Sequence, residues 1–600
     1  MLQNIHIYAP HKAFFSLVPL ACAIILLLAA AIRRLIPGLS IGYLSILIWA
    51  WVIAGSYFSD FLSLPLFGCC LVVAAPILTG AILGLVRKKD SLLALTTVGQ
   101  LLGYYICWLV GIGVLLIPLV FFVPPDTVIP GRHVCNDIVS HALVAKGRDH
   151  FLGTGLDLQL FNWYPRGFHA VLYYLVQLIG FSQLKLIFPL LIFSYSFIIP
   201  FVFDVASALS IRSFWQKFGL TILACSPFLG ISALYQGFAA QLTVIPIVLL
   251  VLFRTFSPPI IPISISVFNF AFLCFTAVTA YTIFPLTLIG LGICIGGSSL
   301  LIERRLLVEI KTLISAFSVK LAIALVALTL FSIPSTLAAA KFLFLQATGD
   351  SQAGDILRSS GNLTGYLSPL HLSGFWPKEV YHASSPINAS AWFAYLQIAM
   401  IGLIVTVLAK SSLKKEYWLV LLTLFVPVFL IPIVGPTEYI QFKYLTLSAP
   451  ALFLFTGVAF LHFKESIFRN ILLGLFVVTC FSAGVIYSGR IVGQWPVLAE
   501  PEFERYVMYR KKYFSKGGVV VLTQDGYFRY FKNRKSVYIP FTGNYPTPYL
   551  GQSLNYIFVD KIASGSNNDF LARHPELKTI TDNQDLLVYS DDRVSIFKFK

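Results

Sequence analysis

Charge is scarce in this sequence of 600 residues: Asp, Glu, Lys and Arg make up 12% of it, while 58% is hydrophobic. The mean hydropathy is +0.82. A water-facing surface cannot be assembled from so few polar groups, which excludes a soluble globular protein. Loop cysteines are scarcer still. Of nine cysteines only Cys135 lies in a long loop, so neither a disulfide framework nor a thiolate metal site is expected. There is no continuous basic face either. The net charge of +17 is scattered as short clusters between apolar runs, and nucleic acid is not an expected partner. No fixed-period repeat is visible. No small-residue cleavage site follows the first apolar run, Phe14 to Ile32, which is read as a retained span rather than a signal peptide.

What the chain has in abundance is apolar runs of about 20 residues, from Phe14 to Ser488, each long enough for a helix to cross the hydrocarbon. Helices satisfy their own backbone groups there, and the pattern excludes a β-barrel. The fold expected is an α-helical polytopic membrane protein of about 14 spans, with membrane lipids around it. The positive-inside rule places Arg33-Arg34, Arg87-Lys88-Lys89, Arg212 to Lys217, Arg304-Arg305, Lys414-Lys415 and Lys464 to Arg469 on the cytoplasmic side. Two outer loops, 123–165 and 338–391, then face the other way, with the Gly435 to Lys443 turn. Residues 1–488 form the transmembrane domain and 489–600 a soluble extracytoplasmic domain. One stretch resists the alternation. Between the first outer loop and the Arg212–Lys217 loop there must be an odd number of crossings, yet Arg166 to Ala206 contains two apolar runs. Gly167 to Phe181 is therefore expected to be a short helix lying at, or dipping into, the outer interface, the alternative being that Arg212–Lys217 departs from the charge rule, which is a bias.

The last hundred residues change character. "GVVVLTQ", "KSVYIPF", "LNYIFVDK", "DLLVYSD" and "VSIFKFK" are short β-branched and aromatic runs, and "NDFLARHPE" suits a helix. A small α/β domain is expected, closed by a hairpin at Asp591-Asp592-Arg593.

Three stretches carry the residues suited to chemistry. In the first outer loop His133, Asp137 and His141 recur every four residues. Asn136 to Lys146 holds no Gly or Pro, so a helix would set the three on one stripe, with Asp137 and His141 turned towards water or a cavity. As a metal site the stripe lacks a further ligand. "NWYPRGFHAV" follows, with Tyr164, Arg166 and His169 around a Pro-Gly turn that holds them at the rim of the membrane, where aromatic and basic residues also act as plain anchors. The third is "GPTEYIQFKYLTLSAP", in which Glu438, Gln441, Lys443 and Tyr444 gather at an outer helix end. A lysine there can receive a phosphate as a point charge, or snorkel to the headgroups.

Together these stretches resemble the GT-C superfamily of membrane glycosyltransferases. In that superfamily a first large outer loop carries an acidic residue, many spans follow, and a soluble outer domain often ends the chain. Asp137 with His141 and the "YPRGFH" turn look like that first loop, and "EYIQFKY" looks like the place where the lipid phosphate is met. The resemblance implies transfer, with inversion, of a sugar from a polyprenyl-phosphate-linked donor to an acceptor hydroxyl on the extracytoplasmic face, in a bacterial inner (plasma) membrane. The acceptor is not specified. It implies Asp137 as general base, Arg166 or Lys443 against the leaving phosphate, and His141, Tyr164, His169 and Glu438 as substrate contacts. The acidic motif here is a single Asp, where the superfamily has Asp-x-Asp or Asp-Glu. Hard cations favour several carboxylates, so no metal or other cofactor is expected. Two other functions fit a many-span protein. An O-antigen polymerase or ligase would use arginines of later outer loops, yet 338–391 holds only Arg358. A transporter or flippase would carry charged or Gly/Pro-broken helices near mid-membrane and inverted repeats, whereas Asp204, the clearest acid inside an apolar run, lies near a cytoplasmic end.

Overall fold

The computed structural model describes residues 9–87, 95–124, 127–129, 138, 141–142, 144–145, 165–281, 284–315, 317–348, 391–411, 413–434, 438–494, 498–513, 518–522, 537–539, 554–561, 575–592 and 594–598. Four long helices open the chain: α1 (Ala9–Arg33), α2 (Ile41–Phe61), α3 (Leu66–Arg87) and α4 (Leu95–Phe121). Strand β1 (Thr127–Ile129) follows, within the first outer loop. Next come α5 (Gly167–Ile179), α6 (Gln183–Tyr195), α7 (Ile198–Ala208), α8 (Phe214–Cys225), α9 (Phe228–Gln236), α10 (Ala239–Phe256), α11 (Ile263–Ala280), α12 (Phe284–Ile302), α13 (Leu306–Ser315) and α14 (Val319–Thr348). After the second outer loop the helices are α15 (Ala391–Lys410), α16 (Lys415–Val434), α17 (Glu438–His462), α18 (Ile467–Phe481) and α19 (Tyr487–Gln494).

Among the described residues nine helices are long and apolar enough to cross a membrane, or ten if the bent pair α8–α9 is one span. Four apolar helical stretches are shorter, Leu17–Arg33, Gly167–Ile179, Thr287–Ile302 and Tyr395–Lys410. Length and composition thus support nine or ten spans directly, beside the sequence expectation of about 14. The spans differ in surroundings. Gln441–His462 is 94% buried within the protein and Gln183–Ala208 89%, whereas Leu66–Val86 is 17% buried and Val319–Lys341 11%. The first pair therefore forms the centre of the bundle and the second faces lipid, with Leu71, Ile82, Val326 and Leu330 exposed.

The stretch that resists simple alternation resolves as one short helix and one span. α5 has 13 residues, about 20 Å, too short to cross. Gly180, in the left-handed region at φ 81°, stops it. Ser182 then caps α6 by accepting from the Lys185 N–H, and α6 with α7 makes a single span of 26 residues interrupted only at Ser196-Phe197.

Two turns rich in Arg and Lys, at Arg304-Arg305 and Lys414-Lys415, are joined at one end of the bundle. Lys415 Nζ lies 2.6 Å from Glu303 Oε1, and the α1–α2 turn at Gly38 packs on the Ile260 carbonyl of the α10–α11 turn. A buried knot closes the same end. Asp204 of α7, fully enclosed, accepts from Ser40 Oγ at 2.5 Å and from Arg254 Nε at 2.8 Å, while Ser40 also caps α2. A fully enclosed acid is costly unless its charge is met, and here Arg254 meets it.

At the opposite end the last part of the chain is attached. Phe122, just past α4, packs against Gly489 and Gly493 of α19. Strand β1 pairs antiparallel with β2 (Leu498–Ala499), tying the first outer loop to the terminal module. Helix α20 (Glu500–Lys512) then places Glu504 3.7 Å from Lys185 at the start of α6. Beyond it lie β3 (Gly518–Leu522), β4 (Val537–Ile539), β5 (Leu554–Asp560), α21 (Pro575–Asp582), β6 (Leu587–Ser590) and β7 (Val594–Lys598). The sheet order is β4-β3-β5-β7-β6, with β3 parallel to both β4 and β5 and the β6–β7 hairpin antiparallel at one edge. All five β-rich runs become strands. The expected helix "NDFLARHPE" shares only Pro575-Glu576 with α21; its other residues lie outside the described ones. Arg505 Nη1 donates to Asp592 Oδ1 at 2.7 Å, so α20 is joined to the hairpin as well as to the bundle.

Candidate functional site

At the end of the bundle that carries the terminal module, five elements bring polar side chains into an otherwise apolar interior. The first outer loop contributes its helix. Ile138, His141, Ala142, Val144 and Ala145 are helical and all buried. The loop helix is seated by Gly237, which follows α9 at φ 80°; a Cβ there would stand 2.0 Å from Ile138 Cγ1. Gly237 thus supplies both a left-handed turn and room for the loop.

The Pro-Gly turn contributes Arg166 and His169. Gly167 starts α5 where a Cβ would lie 2.7 Å from the Thr279 carbonyl and 2.9 Å from Ile53 Cγ2, so only glycine lets the turn sit between α2 and the end of α11. His169, on the first turn of α5, faces inward and is fully enclosed. His169 Nδ1 stands 3.1 Å from the Pro165 carbonyl, and His169 Nε2 stands 2.8 Å from His141 Nδ1. Burial holds both rings neutral. His141 is pushed down to about 3 by loss of water and then by the charge of Lys443. His169 falls well below the ordinary imidazole range through burial first, then through His141 and the Arg166 charge.

Arg166 spans two elements. Its Nε lies 3.3 Å from Asp60 Oδ2 near the end of α2, and its Nη2 donates to the Val144 carbonyl of the loop helix at 3.5 Å. Lys443, on the second turn of α17, is 7% exposed, with Nζ 5.4 Å from the Tyr281 ring centre just past α11. Its own carbonyl accepts from Gln241 Nε2 of α10 at 3.2 Å. Gln241 Oε1 is buried with no donor among the described residues. A neutral acceptor pair, a buried cation and an unsatisfied amide oxygen thus share one region.

The sequence candidates fare differently. His141, His169, Arg166 and Lys443 converge. Of the two surroundings expected for His141, water or a cavity, the structure gives an enclosed one: His141 is 5% exposed and lies against His169. Tyr444 turns away to Thr287 Oγ1 at 2.8 Å. Asp137, His133 and Tyr164 lie outside the described residues, as does the side chain of Glu438. Among the described residues no three His, Cys, Asp or Glu groups gather as for a metal ion. Asp60, Gln241 and Tyr281 were not picked out from sequence. Asp60 carried a usable signal: an acid near the C-terminal end of an apolar helix opposes the helix dipole and calls for a cation. Gln241 and Tyr281 carried none, since each is a single polar residue at the end of an apolar run.

The chain is similar to solved structures. ArnT from Cupriavidus metallidurans, in a crystal structure bound to undecaprenyl phosphate, matches with 12% identity and a TM-score of 0.45, over 83% of this chain and 98% of ArnT. The arabinofuranosyltransferase AftD from Mycobacteria, determined by single-particle cryo-EM, matches with 13% identity and a TM-score of 0.43, over 76% of this chain and 35% of AftD. No protein-family model matches the sequence, and no curated protein does.

Proposed function

We propose that this protein is a GT-C-type membrane glycosyltransferase. It moves a sugar from a polyprenyl-phosphate donor to an acceptor hydroxyl at the extracytoplasmic face, with inversion and without a metal. Undecaprenyl phosphate, the lipid in the ArnT crystal, is one lipid of that donor class. The observation that carries the proposal is the meeting of the His141–His169 pair with buried Lys443 at the end of the bundle away from the basic turns. By the positive-inside rule that end is extracytoplasmic, and residues 489–600 form its soluble domain.

The chemistry follows from what each group can do. A lipid phosphate brings one anionic head on an apolar tail. Lys443, near the N-terminal end of α17, offers a cation and the positive end of a helix dipole in surroundings that exclude water. Arg166 is engaged by Asp60 and the Val144 carbonyl, which gives it the task of bracing the loop helix and leaves the phosphate to Lys443. Asp137, four residues before His141 in sequence, takes the proton from the attacking hydroxyl. His141 and Gln241 accept hydrogen bonds from sugar or acceptor hydroxyls, and Tyr164 and Glu438 complete the contacts. A transporter would need a charge near mid-membrane, whereas Asp204 is bound by Arg254 and Ser40 at the other end and has the role of a strut.

The test is to express the parent, Asp137→Asn and Arg166→Ala in membranes and follow consumption of a panel of polyprenyl-phosphate sugars. The parent should consume at least one donor and release the lipid phosphate, while the Asn variant should lose roughly 100-fold or more. Full turnover by Asp137→Asn would remove that residue from the mechanism. A parent that consumes no donor would overturn the transferase reading.

A further inference from the structure

We infer that α13 is an interfacial helix that docks on the bilayer, with Arg304, Lys311 and Lys414 holding the headgroups of anionic phospholipids. The assignment is independent of the transferase reading.

α13 stands apart from the spans on either side of it. Arg304 separates it from α12 by adopting φ 56°, a left-handed conformation that glycine takes more easily than arginine. Ser318 separates it from α14, since its hydroxyl accepts from the Leu321 N–H at 3.2 Å and so begins a new helix. With 10 residues, about 15 Å, α13 is too short to cross the membrane. Leu306, Leu307, Ile310, Leu313 and Ile314 recur three and four apart and form one apolar face, whereas Glu309, Thr312 and Ser315 lie on the other side with Val308. Among the described residues none of these side chains is buried against the protein. Leu307 is 80% exposed and Ile314 69%. An apolar face of this kind has to be covered.

Its neighbours identify the cover. α12 ends on exposed Leu301 and Ile302, α14 begins with exposed Val319 and Ile323, and both helices pack on α11. α13 therefore links the ends of two lipid-facing helices, and its apolar face continues theirs at the boundary of the hydrocarbon.

Charge identifies the lipid. Glu303 is met by Lys415 at 2.6 Å and Glu309 by Arg305 at 3.1 Å. Arg304, Lys311 and Lys414 are exposed and make no ion pair among the described residues. Lys311 borders the apolar face, so its stem can follow that face while the ammonium reaches the headgroup layer. Basic residues left over at a membrane surface favour anionic headgroups, each by several-fold. The headgroup is that of bulk phospholipid, which outnumbers any donor lipid.

The test uses the full chain with its native cysteines replaced, in nanodiscs of three parts phosphatidylcholine to one part phosphatidylglycerol. A bimane fluorophore is attached at Ile310→Cys or, on the polar side, at Thr312→Cys, and a nitroxide is carried on the acyl chain of one lipid or the other. Bimane at 310 should be quenched by both lipids, roughly threefold or more strongly by phosphatidylglycerol at low salt, and bimane at 312 by aqueous iodide. Arg304→Gln, Lys311→Gln and Lys414→Gln combined should bring the two lipids to near equality while quenching by phosphatidylcholine persists. Position 310 sheltered from both nitroxide and iodide would mean that a protein partner or a second copy covers the face, and would overturn the inference. Iodide quenching as strong at 310 as at 312 would overturn it too. Equal quenching by the two lipids in the parent, or a preference kept in the triple variant, would overturn the headgroup assignment.

Discussion

A histidine that has lost its water must do without its proton, and this dictates how His141 behaves with pH. Its folded value is pushed down to about 3, against about 6.5 in the unfolded chain. Above pH 6.5 the two states bind the same number of protons and His141 has no effect on the balance. As pH falls from 6.5 towards 3 only the unfolded chain takes up a proton, so the folded state loses ground across that window. The thermal midpoint in detergent should therefore fall between pH 7.5 and pH 5, and His141→Gln should reduce the fall; an identical fall in both would contradict the burial. Lys443→Met makes a second residue-scale prediction. Losing a charge-assisted contact with phosphate should raise the donor KM roughly 10- to 100-fold, with a smaller effect on kcat, in steady-state assays over a donor titration. His141, His169, Arg166 and Lys443 were legible in the sequence because a charged or imidazole side chain beside an apolar run needs a reason to be there. The direction His141 faces was not. An amphipathic pattern shows which residues share a face, and only packing partners such as Gly237 and His169 decide whether that face meets water.

At the scale of elements, the helices were legible from length and apolarity, and Arg166 to Ala206 divides into a 13-residue helix and one apolar stretch of 26 residues, the division that parity leads one to expect. What the pattern could not show is where two backbones touch. Gly42 of α2 meets α7, where a Cβ would lie 2.1 Å from the Pro200 carbonyl, and this brings Ser40 within reach of Asp204. Removing that acid leaves Arg254 enclosed without its partner. Asp204→Ala should cost about 3 kcal/mol or more, and Asp204→Ala combined with Arg254→Met should recover most of it, as read by unfolding midpoints. At the other end, Gly237→Ala combines a strained φ with a clash against Ile138, and should cost about 1–3 kcal/mol. If the loop helix is seated as described, protease cleavage near residues 138–145 should become faster in that variant than in the parent. Equal cleavage rates would show that Gly237 does not hold the loop.

For the whole molecule, the arrangement divides the chain between two ends. Arg33, Lys217, Arg254, Glu303 and Lys415 belong to one, and His141, His169, Lys443 and the terminal α/β module to the other. The division was legible from the charged turns, and the strands of the module from their β-branched runs. The β1–β2 pairing that ties the first outer loop to the module was not, because three residues and two residues are too few to show an alternating pattern. With the native cysteines replaced, Met508→Cys on α20 should react with a membrane-impermeant maleimide in intact cells. Lys311→Cys on α13 should react only after permeabilisation.

The central claim is that the lipid phosphate of the donor is held where Lys443 meets the His141–His169 pair. A photoreactive polyprenyl phosphate, cross-linked to the protein in nanodiscs and mapped by mass spectrometry, reads this directly. Cross-links should concentrate on the peptides around Thr279 to Tyr281 and Gln441 to Tyr444, and should weaken in Lys443→Met. Cross-links gathered instead around Arg254, Arg304 or Lys415 would place the lipid head at the opposite end and contradict the account.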